Sequence, residues 1–235
     1  EITVATLLRQ AGYATCLSGK WHLNGRFNLP GQPQPSDHGF DHWFATQNNA
    51  LPSHENPDNF VRNGKALGKV EGYSCQIVVD EAIDWLDNRR DKTKPFFLNV
   101  CFHEPHQRVA SPPELAARHP KVKQPEYYGC IENMDDAAGR LLKKLDAMGV
   151  TDDTLVVFTS DNGPSRETRN WLDGNLDPYY GGSAGKLRGH KFSLYEGGMR
   201  MPGIMHWPGR IPAGQVLDAP CASMDIMPTF LNIAG

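Results

Sequence analysis

The sequence predicts an α/β fold, a largely parallel sheet covered by helices. Segments with helical and with strand-like apolar spacing alternate along the chain. The strand-like runs are short, almost continuously apolar and bounded by proline or glycine, as strands of a parallel sheet are. Polar clusters follow three of these runs, at the strand ends outside which open α/β sheets bind ligands.

Each element can be justified in order. Val4, Leu7, Leu8 and Ala11 keep the i, i+3, i+4, i+7 rhythm of an amphipathic helix, with Thr3 as cap and Gly12 as stop. Residues 13–17 read as a short strand ending in Ser18-Gly19-Lys20-Trp21-His22. Residues 24–73 lose all periodicity into Gly, Pro, Asn, Asp and His, a length that marks a functional loop region. Residues 75–89 form a helix with Val78, Ala82, Trp85 and Leu86 on one side, and the aromatic run 96–102 after Pro95 is a buried strand. A long helix follows from about 124 to 148, with Gly149 as its stop. Residues 155–159 are another buried strand, 203–207 a further one, and a helix starts at Met224. With no linker and no internal repeat, residues 1–235 are expected to form one domain.

Composition narrows the function. The net charge of −3 lacks the basic excess of a nucleic-acid binder. The longest apolar runs, 95–102 and 154–159, fall far short of the roughly 20 residues of a membrane span. Five cysteines without a C-x-x-C pair exclude a zinc ribbon or thioredoxin motif, and Cys101 and Cys130 sit in core-like patterns. With 23 glycines and 18 prolines the chain turns often, and its aromatic residues require a core. Opening directly into a helix at Glu1, without Met, it is expected to lack an upstream segment.

Three polar clusters carry the chemistry: Gly19-Lys20-Trp21-His22, His103-Glu104-Pro105-His106 and Ser160-Asp161-Asn162-Gly163. Singly, each has an ordinary explanation as a surface lysine, loop histidines or an Asp-Asn-Gly turn. On the same edge of one sheet they would place an ammonium and imidazoles beside a carboxylate–amide pair. That set suits a hard cation with oxygen ligands next to a bound anion. Two ligands do not complete a Ca²⁺ site, which takes about 6–8 oxygens. Asp135-Asp136, mid-helix, and Asp152-Asp153, before a strand, read as solvated or capping residues.

Gly12-Tyr13-x-Thr15-x-x-x-Gly19-Lys20-Trp21-His22-Leu23 resembles the second signature of the type I, formylglycine-dependent sulfatases. The family's order continues through Asp37-His38-Gly39-Phe40-Asp41, Pro95-Phe96-Phe97-Leu98 running to Pro105-His106, and Ser160-Asp161-Asn162-Gly163. It closes with Lys191-x-x-x-Tyr195-Glu196-Gly197-Gly198-x-Arg200-x-Pro202 and Ser223-x-Asp225-Ile226-x-Pro228-Thr229. The implied fold is that of the alkaline-phosphatase superfamily, a largely parallel or mixed sheet flanked by helices on both faces. The resemblance implies that Lys20 and Lys191 hold sulfate oxygens, that His22 serves the hydrated formylglycine nucleophile, and that His106 stands near the bridging oxygen. It implies Asp161 and Asn162 as half of a Ca²⁺ site, with Mg²⁺ the poorer fit.

Two family features are missing. None of Cys16, Cys75, Cys101, Cys130 and Cys221 lies in the Cys (or Ser)-x-Pro-x-Arg signature that carries formylglycine, and the second acidic pair of the metal site is absent. Family order places both before Glu1. The expectation is therefore a partial catalytic domain, truncated at the N-terminus and continuing past Gly235, that does not turn over substrate alone. The implied partners are a sulfated small molecule or glycan and, for the full-length protein, a formylglycine-generating or anaerobic maturation enzyme. The implied location is secreted, periplasmic or lysosomal. Two alternatives stay open: a phosphodiesterase or phosphonate hydrolase of the same superfamily, and a non-catalytic module that binds a sulfated ligand. His38, His54, Arg166, Arg169, Trp171, Tyr179 and Tyr180, from loops 24–73 and 166–182, are polar or aromatic enough to contact a sugar, and each reads equally well as part of an ordinary surface loop with buried aromatics.

Overall fold

A computed structural model describes residues 1–165 and 182–235. Helix α1 (Val4–Gln10) begins as read, with Thr3 Oγ1 accepting from the Thr6 amide at 3.1 Å. Strand β1 (Ala14–Lys20) is longer than the sequence suggested, because Ser18, Gly19 and Lys20 continue its ladder. The supposed loop region contains β2 (His42–Thr46) and the two-residue strands β3 (Val61–Arg62) and β4 (Lys65–Ala66). After them come α2 (Ser74–Asp84), a π turn at Trp85–Arg89, β5 (Phe96–Cys101), α3 (Pro113–Ala116) and α4 (Pro125–Ala147). Strand β6 (Val156–Thr159), α5 (Glu196–Met199), β7 (Gly203–His206) and α6 (Ile226–Ala234) complete the described elements.

The main sheet has the order β4-β3-β2-β1-β5, with β1 parallel to both neighbours and β3 antiparallel to β2. Alternation along β1 divides the core. Leu17 packs with Ala5 of α1, Trp21, Phe40 and Trp43 on one face. Ala14 and Cys16 pack with Trp85, Leu86 and Leu145 on the other. Phe97 continues the first face onto Phe230 of α6 at 6.1 Å, while Cys75, Val79 and Ala137 join α2 to α4. Helices thus cover both faces, as the fold class requires.

Burying β1 requires that its hydroxyls find partners. Thr15 donates to the Gly39 carbonyl at 2.7 Å and accepts from the Asp41 amide at 2.9 Å, while Ser18 donates to the Val78 carbonyl at 2.7 Å. The buried His42 that opens β2 bonds Glu81 at 2.8 Å, and Glu81 is chelated by Arg62. Burial alone would raise the Glu81 carboxyl, but the bonds from His42 and Arg62 prevail and hold it below the usual range.

Two expectations need correction. Among the described residues β6 lies outside the main sheet and pairs antiparallel with β7, so the three polar clusters do not share one sheet edge. The runs read as buried strands are also more open than expected. β5 is half-buried because only its β1 side is paired, and β6 is half-buried to exposed. Val156, the first residue of β6, nevertheless packs on the cluster of Ala14, Cys16 and Leu145.

At Gly19, φ is +117° and an added Cβ would lie 1.9 Å from the Cys101 carbonyl oxygen. Gly19→Ala should therefore cost about 3 kcal/mol or more, read as a lower urea midpoint at unchanged slope. Gly149→Ala, at φ +69° with open space around it, should cost only about 1 kcal/mol. Equal losses at the two positions would rule out the β1–β5 approach as the controlling contact.

Candidate active site

The ladder between β1 and β2 runs past the formal strand end. The Trp21 amide donates to the Thr46 carbonyl at 3.0 Å and the His22 amide to the Gln47 carbonyl at 2.7 Å. The chain then turns sharply at His22, with φ +52°, leaving its ring exposed. A non-glycine residue in the left-handed region is uncommon outside tight turns and functional sites. Trp21 anchors the turn, packing edge-on against Phe40 at 6.4 Å and donating its indole hydrogen to the Pro33 carbonyl at 3.2 Å.

Lys20 is half-buried, and its ammonium donates to Asn49 Oδ1 at 3.2 Å. Asn49 is fixed in turn by Asn59, which donates to its carbonyl at 2.8 Å. Burial pushes the Lys20 ammonium below the ordinary lysine range and the neighbouring Lys191 adds to that, with Asp161 and Cys101 pulling the other way. His22 is lowered by the same pattern: burial first, then Lys20 and Lys191, opposed by Asp161. Lys20, His22, Lys191 and Asp161 are therefore electrostatic neighbours, although Asp161 follows a strand outside the main sheet.

Glycines bring the last two loops together. The Gly163 amide donates to the Gly198 carbonyl at 3.0 Å, and a Cβ on Gly163 would sit 1.9 Å from the Gly197 carbonyl oxygen. The Lys191 amide donates to the Pro164 carbonyl at 3.0 Å. Ser160-Asp161-Asn162-Gly163 is thereby docked on the Lys191 to Gly198 segment, backbone against backbone. Asn162 Oδ1 is buried without a hydrogen-bond partner. A buried partnerless carbonyl beside a carboxylate fits part of an oxygen site for a hard cation. Among the described residues no group of three or more His, Cys, Asp and Glu side chains could hold a metal.

The third cluster follows β5. The His106 amide donates to the His103 carbonyl at 2.9 Å, and its ring Nδ1–H donates to the Gln107 carbonyl at 2.8 Å. His103 is buried; its Nε2–H donates to Thr46 Oγ1 at 2.6 Å, since the threonine hydroxyl is committed to the Asn48 carbonyl at 2.7 Å. Burial holds His103 well below the ordinary histidine range, with the positive charges of His54, Lys20 and His106 acting in the same direction. His103 thus links the Lys20 side of the site to His106.

The expected sugar contacts fare differently. His54 is 1% exposed and bonds Ser74 and the His106 carbonyl, so it meets no substrate. His38 is half-buried beside the Trp21 ring at 5.6 Å. Arg166, Arg169, Trp171, Tyr179 and Tyr180 lie outside the described residues. Asn49 was not singled out from sequence, and its only signal was its place three residues after β2, a strand that sequence reading does not find.

Removing a like charge favours the imidazolium, so Lys20→Ala should make His22 titrate at higher pH, and Asp161→Asn at lower pH, in NMR titrations of the ring. A His22 resonance indifferent to both changes would place the ring outside the cluster.

The Sulfatase family model matches residues 1–235. N-acetylgalactosamine-6-sulfatase of Canis lupus familiaris is 33% identical over 251 residues, covering 100% of this chain and 45% of that protein. Steryl-sulfatase of Rattus norvegicus is 38% identical over 307 residues, covering 100% and 52%. The chain spans about half the length of the curated relatives it matches. The crystal structure of Ps i-CgsB in complex with k-i-k-neocarrahexaose superposes with TM-score 0.81 at 27% identity, covering 98% of this chain and 52% of that one. PsFucS1 sulfatase from Pseudoalteromonas sp. superposes with TM-score 0.76 at 26% identity, covering 100% and 50%.

Proposed function

Because the chain belongs to the sulfatase family, we propose that it carries the anion-holding and leaving-group side of a sulfuric ester hydrolase centre that releases inorganic sulfate from a sulfated carbohydrate. The observation that carries this reading is the convergence of Lys20, Lys191 and His22 with Asp161. A sulfate ester presents one negative charge spread over its oxygens, and S–O cleavage moves charge onto the departing oxygen. Two neighbouring ammonium groups repel each other, and that repulsion is relieved by a bound anion whose oxygens they hold in place while the bond breaks.

Lys20 and Lys191 bind the sulfate oxygens, with Asn49 fixing the direction of Lys20. His106, whose Nδ1 hydrogen is committed to the Gln107 carbonyl, delivers a proton from Nε2 to the departing oxygen. His22, kept largely uncharged at neutral pH, exchanges a proton at the nucleophile. That nucleophile belongs to the absent Cys (or Ser)-x-Pro-x-Arg signature, and when present a formylglycine there supplies the attacking oxygen. Asp161 and Asn162 would hold part of a Ca²⁺ site, whose charge would stabilise the oxygens of the reacting group.

The sugar assignment is supported by the sulfatase named for N-acetylgalactosamine and by the structural relative bound to a neocarrahexaose. No described helix is long and apolar enough to cross a membrane. A secreted, periplasmic or lysosomal location and a maturation enzyme as partner follow from the family reading.

In the full-length protein, sulfate release from sulfated galactosamine and carrageenan oligosaccharides, followed by ion chromatography, should exceed release from a steroid sulfate. Lys20→Ala, Lys191→Ala and His106→Ala should each lower kcat/KM by about 10² or more. Activity surviving all three would sink the assignment, and turnover of phosphodiesters in preference to sulfates would move it to the phosphoryl-transfer branch.

Calcium at a hundredfold its Kd should stabilise the full-length protein by about 2.7 kcal/mol, seen as a rise in Tm that chelation reverses. Asn162→Leu should lose most of that rise. The same rise in the variant would show that Asn162 is no ligand.

A further inference from the structure

The residues 103–106 leave the end of β5 carrying His106, and its ring can serve one place only if the loop is held. A buried polar cluster that no step above uses does the holding. His54 is 1% exposed, and its Nε2 lies 2.5 Å from the His106 carbonyl oxygen. A carbonyl only accepts, so Nε2 bears the hydrogen. His54 Nδ1 lies 2.9 Å from Ser74 Oγ, at the first residue of α2, and Ser74 Oγ donates to Glu104 Oε1. Glu104 Oε1 also accepts from the Cys75 amide at 2.8 Å, and Oε2 from the His103 amide at 3.2 Å.

The carboxylate thus ties the start of α2 to the first residue of the loop, and the imidazole ties the same helix start to the last. His54 is itself anchored by its backbone, which donates to the Arg108 carbonyl at 3.4 Å and accepts from the Ser74 amide at 2.8 Å. Serine, histidine and glutamate together suggest a nucleophilic triad, but all three are buried here and Ser74 is wholly inaccessible, so no substrate reaches them.

We infer that His54, braced by Ser74 and Glu104, is a positioning residue that sets His106 at the departing oxygen of the ester. This rests on the reading of His106 as proton donor. A general acid matters most when the alcohol is a poor leaving group, as in a sugar, and least for an acidic phenol. Misplacement of a reacting group by about 1 Å can cost about 10²-fold in rate. The two effects together give His54 a signature that a purely structural residue lacks.

The test is a double-mutant cycle in the full-length protein, with a sugar sulfate and 4-nitrophenyl sulfate as the two esters. His54→Ala should lower kcat on the sugar sulfate by about 10²-fold and on 4-nitrophenyl sulfate by less than about threefold, with KM little changed on either. His54→Gln, whose amide reaches toward the same carbonyl, should restore at least about a tenth of the lost rate. In a His106→Ala background, His54→Ala should cost less than about twofold more. A His54→Ala loss that is equal on both esters and additive with His106→Ala overturns the inference, while a leaving-group-dependent loss in His106→Ala alone leaves the proton-donor reading standing. A His106→Ala protein that loses nothing, or loses equally on both esters, overturns that reading and the positioning role with it. Should His54→Ala fail to fold, His54→Gln and Ser74→Ala complete the same cycle.

Discussion

Strand β1 is hydrogen-bonded on both sides to parallel neighbours, and that double pairing determines where Lys20, His22, Asn49 and His103 can be. Cys16–Lys20 register against His42–Thr46, and Ala14–Gly19 against Phe96–Cys101. Parallel neighbours end on the same side, so the tails after Lys20, Thr46 and Cys101 emerge together. Asn49 can then reach Lys20, and His103 can reach Thr46. The arrangement tolerates little bulk at its tip, where the Gly19 backbone closes on the Cys101 carbonyl. The small side chains of β1 let two ladders and two helical layers converge on one strand.

What those ladders bring together is electrostatically unfavourable when left alone. Lys20 and Lys191 each disfavour the charged form of their neighbours, and burial acts the same way on Lys20. Asp161 opposes the effect, but one carboxylate against two ammoniums leaves an excess of positive charge that a bound anion would neutralise. Backbone contacts fix the segment that carries Lys191 against the one that carries Asp161: Gly163 on Gly198, and Lys191 on Pro164. Main-chain hydrogen bonds between glycine-rich loops do not depend on side-chain rotamers, so they hold position against a repulsion that flexible ion pairs would relax away.

Much of this was legible in the sequence where local chemistry decides structure. The Thr3 cap, the long apolar stripe of α4 and the aromatic run of β5 need no tertiary information to be read. The polar loops were legible too, since Lys20, His22, Lys191 and Asp161 do come together. The unread parts are those that a distant partner decides. β2 opens on His42, which looks like a loop residue until Glu81 and Arg62 make it a buried one. His54 looked like a sugar ligand, because nothing local announces that Ser74 and Glu104 enclose it. β6 read as buried from its apolar residues, while its partner, β7, is itself exposed.

Buried polar atoms without partners mark groups that a ligand could meet. Asn162 Oδ1, Asn48 Oδ1 and His103 Nδ1 all lack a hydrogen bond, and all belong to the segments that form the site. Leaving such an atom buried and unmet costs about 1–3 kcal/mol, and Asn24, His38 and Ser111 carry others outside these segments. Asn48 adjoins the partner of Lys20, His103 lies between Lys20 and His106, and Asn162 adjoins Asp161. Groups that meet these atoms when the site fills would return that free energy as binding energy.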